Sequence, residues 1–169
     1  MELEEAIRGR RTHKAYAPEP VERELLEELF DLARWAPNHH LTNPWRFRVV
    51  GPQSLAKLKL AAGPEAGPKL DRAPTLVCAS VKLSGDPVQD EEDLCAAACA
   101  VFIVLLAAHA RGLAGYWRTP GALRTPDGAA TVGMEPDELF VALIHLGHAR
   151  QAKEPPERMP PADFVTYLP

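Results

Sequence analysis

Cysteine is scarce in this 169-residue chain: Cys78, Cys95 and Cys99 are the only three, unevenly spaced. An odd, irregular set excludes a disulfide framework and predicts a reducing, cytoplasmic setting. Glycine-loop phosphate cradles are missing too, since neither GxGxxG nor GxxxxGK(S/T) occurs. Basic charge is not in excess. The formal net charge is −4, which argues against a nucleic-acid partner. The longest apolar run, Leu94 to Ala108, has fifteen residues, short of the roughly 20 that a membrane span requires. It reads as a buried core helix. The opening MELEEAIRGRR has no apolar h-region, so no secretory signal is expected. No Ser sits in a nucleophile-elbow context and no Cys lies beside a His, which disfavours acyl transfer.

What remains is an ordinary globular composition, 46% hydrophobic and 25% charged, sized for one domain over residues 1–169. Helical spacing predicts a short helix ending near Gly9 and a longer one from Val21 to Ala36, stopped by Pro37. A strand is expected at Arg46 to Val50, a helix at Leu55 to Ala62, and a Gly- and Pro-rich loop at 64–73. Thr75 to Leu83 alternates as a strand, and the apolar helix follows behind the acidic run Asp90 to Asp93. Gly115 to Arg118 reads as a strand end, and Glu138 to Leu146 as a β-rich run. Helices and strands mix without βαβ alternation, so the fold class is α+β. Residues 153–169 hold five of the seventeen prolines and close on FVTYL. Such a segment is an arm on a partner subunit or a tail folded onto its own domain.

Three stretches could carry chemistry. RGRRTHKAY, residues 8–16, gathers cations and a Thr hydroxyl at a helix end. Arginine forks suit a phosphate monoester, while basic residues also complement a helix C-terminus. In APNHHLTNPWRF, residues 36–47, bulky and polar groups crowd a connector between helix and strand. GYWRTPG, residues 115–121, puts Trp, Arg and Thr at a strand end, suited to a flat polar ring or to a Trp buried under a turn. No metal site is expected. Cys95 and Cys99 lie in an apolar helix where cysteine behaves as a small core hydrophobe, and strand alternation sends His145 and His148 to opposite faces.

Taken in order, these stretches resemble three motifs of the FMN-dependent nitroreductase family, and the chain is most similar to its small single-domain bacterial NAD(P)H nitroreductase-like subgroup. Arg10-Arg11-Thr12 with Lys14 resembles the family's Arg-x-Ser/Thr-x-Lys start. Pro37 with Asn43-Pro44-Trp45-Arg46-Phe47 resembles its Gln-Pro-Trp-Arg-Phe loop, and Gly115-Tyr116-Trp117-Arg118-Thr119 its Gly-x-Trp-Arg-Ser/Thr loop. The FVTYL ending is also similar. The resemblance implies a central, mainly antiparallel sheet flanked by helices, in a homodimer with FMN at the subunit interface. It implies NADH or NADPH as co-substrate and a nitroaromatic, quinone or similar small-molecule acceptor, with no nucleic acid and no membrane. Arg10, Arg11, Thr12, Lys14, Trp35, His39, Trp117, Arg118 and Thr119 would bind FMN, and Trp35 and His39 would reach flavin held mainly by the other subunit. Ala107, Ala108, His109, Ala110, Arg111 and Gly112 would meet the nicotinamide nucleotide. FMN carries the hydride, so no side chain is assigned as catalytic. Asn38, Leu41 and Asn43 depart from the family loop, which bears on acceptor choice. A flavin carrier or sensor without turnover is the competing class.

Overall fold

The structure, a computed structural model, describes residues 1–169. Nine regular elements are ordered α1 (Leu3–Gly9), α2 (Arg23–Ala33), β1 (Trp45–Val49), α3 (Pro52–Ala66), β2 (Thr75–Lys82), α4 (Pro87–Ala110), β3 (Ala114–Arg118), α5 (Pro126–Thr131) and β4 (Glu138–Gly147). The strands form one sheet in the order β1-β2-β4-β3, and every pair is antiparallel. β2 and β4 hold the centre. Each is apolar and buried along nearly its whole length, so both sheet faces need a cover. One face packs on α2 and α4 through Leu29, Val77, Val101, Val104 and Ile144. The other packs under α3 and α5 through Leu58, Leu70, Cys78, Leu123 and Leu143. Arg48 ties three strands together, donating to Ser80 Oγ at 3.0 Å and to Glu138 Oε1 at 2.7 Å.

The signals around α4 explain its length. Asp86 caps it by accepting the backbone N–H groups of Val88 and Gln89, and Pro87 occupies the first turn, where its missing donor costs nothing. The helix ends where Gly112, at φ 78°, turns the chain into β3. At 24 residues α4 has the length and composition of a membrane span, yet half of its apolar window is buried inside the fold. It is a core helix on one side only.

Two expectations are corrected. The stretch 64–73 is no loop: α3 continues through a break at Gly63 (φ 75°) into a 3-10 coil at Gly67–Arg72. Leu70 is driven into the core there, and Gly67 sits so close to the Lys59 carbonyl that a Cβ would lie 2.8 Å from it. Cys95 and Cys99 are exposed, not core, because they lie on the face of α4 turned away from the sheet. Helix α5 and the 3-10 turn before it, Gly121–Arg124, carry too little apolar periodicity to be read from sequence. The terminal segment stays at the surface: residues 151–169 are all exposed, Tyr167 at 92%.

His145 lies at the middle of the sheet with no exposure, and neither ring nitrogen has a partner. Burial, reinforced by Arg118 and Arg72, lowers its pKa to about 4. The unfolded imidazole, near its ordinary value of about 6.5, therefore binds protons that the folded one refuses. Stability from this group is complete above about pH 6.5 and is lost as pH falls towards 4. The loss amounts to roughly 3 kcal/mol at ~1.4 kcal/mol per unit. His145→Leu should flatten that slope relative to the parent when urea midpoints are compared from pH 4.5 to 7.5; parallel slopes would show that the buried imidazole is not the cause.

Candidate functional site

The first and third motifs meet through backbone. Thr12 forms a parallel bridge with Gly115 on the outer edge of β3, and the His13 N–H donates to the Gly115 carbonyl at 3.2 Å. Further along, Tyr16 bridges to Ala149, so residues 12–16 run along the sheet beside β3 and the end of β4. Gly115 lets β3 lie close to α4: a Cβ would fall 2.6 Å from the Leu105 Cδ2 methyl and push it aside.

This placement leaves Arg10 and Arg11 beside the C-terminal half of α4. A cleft of about 730 Å3 opens there, lined by Arg8, Arg10, Arg11, Phe102, Lys153 and Arg158 among others, with no carboxylate. Lys153 folds back to donate to the Thr12 carbonyl at 2.6 Å, bringing the start of the C-terminal arm to the cleft. Arg11 donates to the carbonyls of Arg8 and Arg10, while its Nε is buried without a partner. His109 packs on Gly9, where a Cβ would lie 2.7 Å from its Nε2. Positive charge accumulates. Burial, then Arg11 and Arg158, lowers Arg10 below its ordinary pKa. Burial, then Arg10 and Arg11, lowers His109, and burial, then Lys153 and His109, lowers His13. Arg10 and Arg11, half-buried beside Lys153 and Arg158 with no carboxylate in the cleft wall, make a site suited to an anion.

The other residues singled out from sequence divide. Strand alternation puts Trp117 on the α4 side of β3, packed against the core, and Arg118 on the opposite face, where it donates to the Lys69 carbonyl at 3.1 Å. Thr119 is exposed at the strand end. Lys14 lines a separate hollow with Arg72 and Arg150. Ala107 and Ala108 are buried, Arg111 is paired with Glu28 at 3.0 Å, and His109, Ala110 and Gly112 remain accessible. Sequence reading missed Lys153 and Arg158. They lie some 140 residues from Arg10 and belong to no motif.

The second motif stands apart. Its loop rests on the first half of α4: His39 Nδ1 lies 2.8 Å from Glu92 Oε2, and Thr42 Oγ1 donates to Asp93 Oδ1 at 2.6 Å. Three non-glycine residues, His40, Leu41 and Asn43, take φ between 48° and 53°, a left-handed backbone such residues rarely adopt. His39 and His40 stack at 3.8 Å between centroids, and Trp35, at the end of α2, is 76% exposed. Glu92, under the loop, and Phe102, the α4 residue that lines the cleft, are ten residues apart on one helix, about 15 Å. Within one chain, the loop and the cationic cleft do not meet.

Comparison with known proteins places this arrangement. Residues 7–65 match the profile of the Nitroreductase family. A Haemophilus influenzae protein named "Putative NAD(P)H nitroreductase" is 31% identical over 178 residues, covering 92% of each chain. The crystal structure of the nitroreductase-like family protein from Bacillus cereus superposes with TM-score 0.90 at 23% identity, covering 99% of this chain and 96% of that one. A "putative nitroreductase in complex with FMN" from Desulfovibrio desulfuricans is 27% identical, with TM-score 0.81, 100% of this chain and 98% of that one covered. With the α+β fold, the ordered motifs and a relative of this identity across almost the whole length, the chain belongs to the nitroreductase family.

Proposed function

We propose that the protein is an FMN-dependent oxidoreductase that passes reducing equivalents from NADH or NADPH to a nitroaromatic, quinone or similar small acceptor. The carrying observation is the carboxylate-free cleft in which Arg11 Nε is buried and unpaired beside Arg10, Lys153 and Arg158. These residues fit the phosphate end of FMN. The chemistry supplied by bound FMN is hydride exchange at N5, in alternation with the two substrates. This chain's residues bind and orient. Arg10 and Arg11 hold the phosphate, and Thr12, fixed against Gly115, offers its hydroxyl to the polar chain that follows. Lys14 lies two residues further on, at most about 7 Å away, and brings positive charge towards the ring, where it favours the reduced anion. No side chain is required as a nucleophile.

The unit that acts is a homodimer. The face of α4 bearing Cys95, Cys99 and Phe102 is uncovered, as are Phe164, Val165, Tyr167 and Leu168 of the arm. A second copy would cover both and bring the loop of one chain to the cleft of the other, so that Trp35 and His39 meet the flavin of the partner. The three free thiols suit a reducing, cytoplasmic setting.

The purified protein should be yellow, should bleach anaerobically with NADH or NADPH and should recolour with a quinone. Bleaching without recolouring by any acceptor would favour a flavin carrier or sensor, and a colourless protein that takes up no FMN would reject the reading. Arg10→Ala should release FMN more readily than Lys14→Ala, weakening it by about 10- to 100-fold. Each charge-assisted bond to phosphate contributes about 1.5–3 kcal/mol. Equal retention in the two variants would remove the phosphate assignment.

Truncation after Lys153 should weaken dimerisation and flavin retention together, as seen by sedimentation and the visible spectrum. A truncated protein that stays dimeric and yellow would give the arm another role.

A further inference from the structure

Loop 38–43 holds three left-handed residues at positions where glycine would be expected. Such backbone costs of order 1–3 kcal/mol per residue and persists only where surroundings over-determine it. Part of the restraint is internal: the Asn43 N–H donates to Asn38 Oδ1 at 2.9 Å, and Asn43 Nδ2 donates to the Leu41 carbonyl at 2.7 Å. The rest comes from α4. Asp93 is only 3% exposed and takes part in none of the ion pairs of the fold. Its Oδ1 accepts from Thr42 Oγ1 at 2.6 Å and from Gln89 Nε2 at 3.1 Å. A buried carboxylate satisfied by neutral donors is costly, and nothing in the core of α4 calls for one. Thr42 is the residue it reaches, the single right-handed position (φ −62°) between Leu41 and Asn43.

From this we infer that Asp93 is a positioning residue. With the Thr42 hydroxyl as first point and the exposed His39–Glu92 pair as second, it clamps the loop on α4 and fixes how the stacked His39 and His40 rings face flavin and acceptor. The inference rests on the functional reading above, in which His39 contacts flavin. It adds a buried group, outside the motifs, through which the body of the fold sets the geometry of that contact. Acceptor affinity then depends on a hydroxyl–carboxylate bond that touches neither flavin nor acceptor.

Thr42→Val removes the hydroxyl and keeps the shape, and Thr42→Ser restores the donor. Hydrogen exchange at the Asn43 amide reports the loop itself and needs no flavin. It should quicken at least fivefold in Thr42→Val and return to the parent rate in Thr42→Ser. In the same proteins the FMN Kd, by flavin-fluorescence titration of the apo chain, and the acceptor KM should each rise about fivefold or more in Thr42→Val, with a smaller change in kcat; Thr42→Ser should match the parent. Unchanged exchange in Thr42→Val would overturn the clamp. Faster exchange with parental FMN Kd and acceptor KM would overturn its positioning role. If the parent binds no FMN, the functional reading falls instead, and the exchange data alone decide whether the clamp exists.

Discussion

The burial of β4 against α4 is the contact on which the rest depends. β4 is buried on both faces from Phe140 to Leu146 and apolar there except at His145, so it must be covered twice, and α4 supplies one cover with Ala97, Ala100, Val101, Val104 and Ala108. At about 25 cal/mol per Å2, a helix of this length against a central strand contributes more than any polar contact in the molecule. The same helix also creates a difficulty. From Leu94 to Ala108 it is apolar all round, and a helix of that kind is stable in water only when enclosed. One side finds the sheet; the side with Cys95, Cys99 and Phe102 finds no cover within the chain.

Both halves of the candidate site are consequences of that helix. Near its C-terminal end, His109 packs against Gly9 and sets the position of α1, so Arg10 and Arg11 follow. Near its N-terminal end, Glu92 and Asp93 hold the loop with His39. A chain of net charge −4 thus concentrates cations at one end of α4 and uses carboxylates at the other. The depressed values of Arg10, His13 and His109 have one physical origin, partial burial among like charges, and an anion in the cleft relieves all three.

Where sequence reading succeeded, local pattern and tertiary role agreed. The continuous run LFVALIHL read as β-rich and forms β4; α2 lies inside the span expected for it but ends at Ala33, short of Pro37. Its failures were questions of direction. Cysteines in LCAAACAVFIVLL looked like core because composition reports apolarity without saying which side of the helix meets the sheet. Gly63 and Pro64 advertised a loop, but Leu70 beyond them needed burial, and tertiary contact prevailed. In the site, the third motif named Trp117 and Arg118 alike, and only alternation along β3 separates their surroundings. Lys153, Arg158 and the Asp93–Thr42 bond left no local trace. Asp93 read simply as an acid near a helix start.

The separation of about 15 Å along α4 between loop and cleft also accounts for the rigidity of the loop. In the proposed dimer each flavin is completed by a loop from the other chain, so a loop that ordered only on association would add its ordering cost to every encounter. Fixing the backbone of one residue costs about 1–2 kcal/mol, and six residues from 38 to 43 would consume much of the gain from an interface of ordinary size. The Asn38, Asn43 and Asp93 bonds move that cost into the folding of the single chain, where burial of α4 offsets it. Three left-handed residues in a row of six are tolerable under those terms: the strain is borne once, during folding, and the loop meets its partner already shaped.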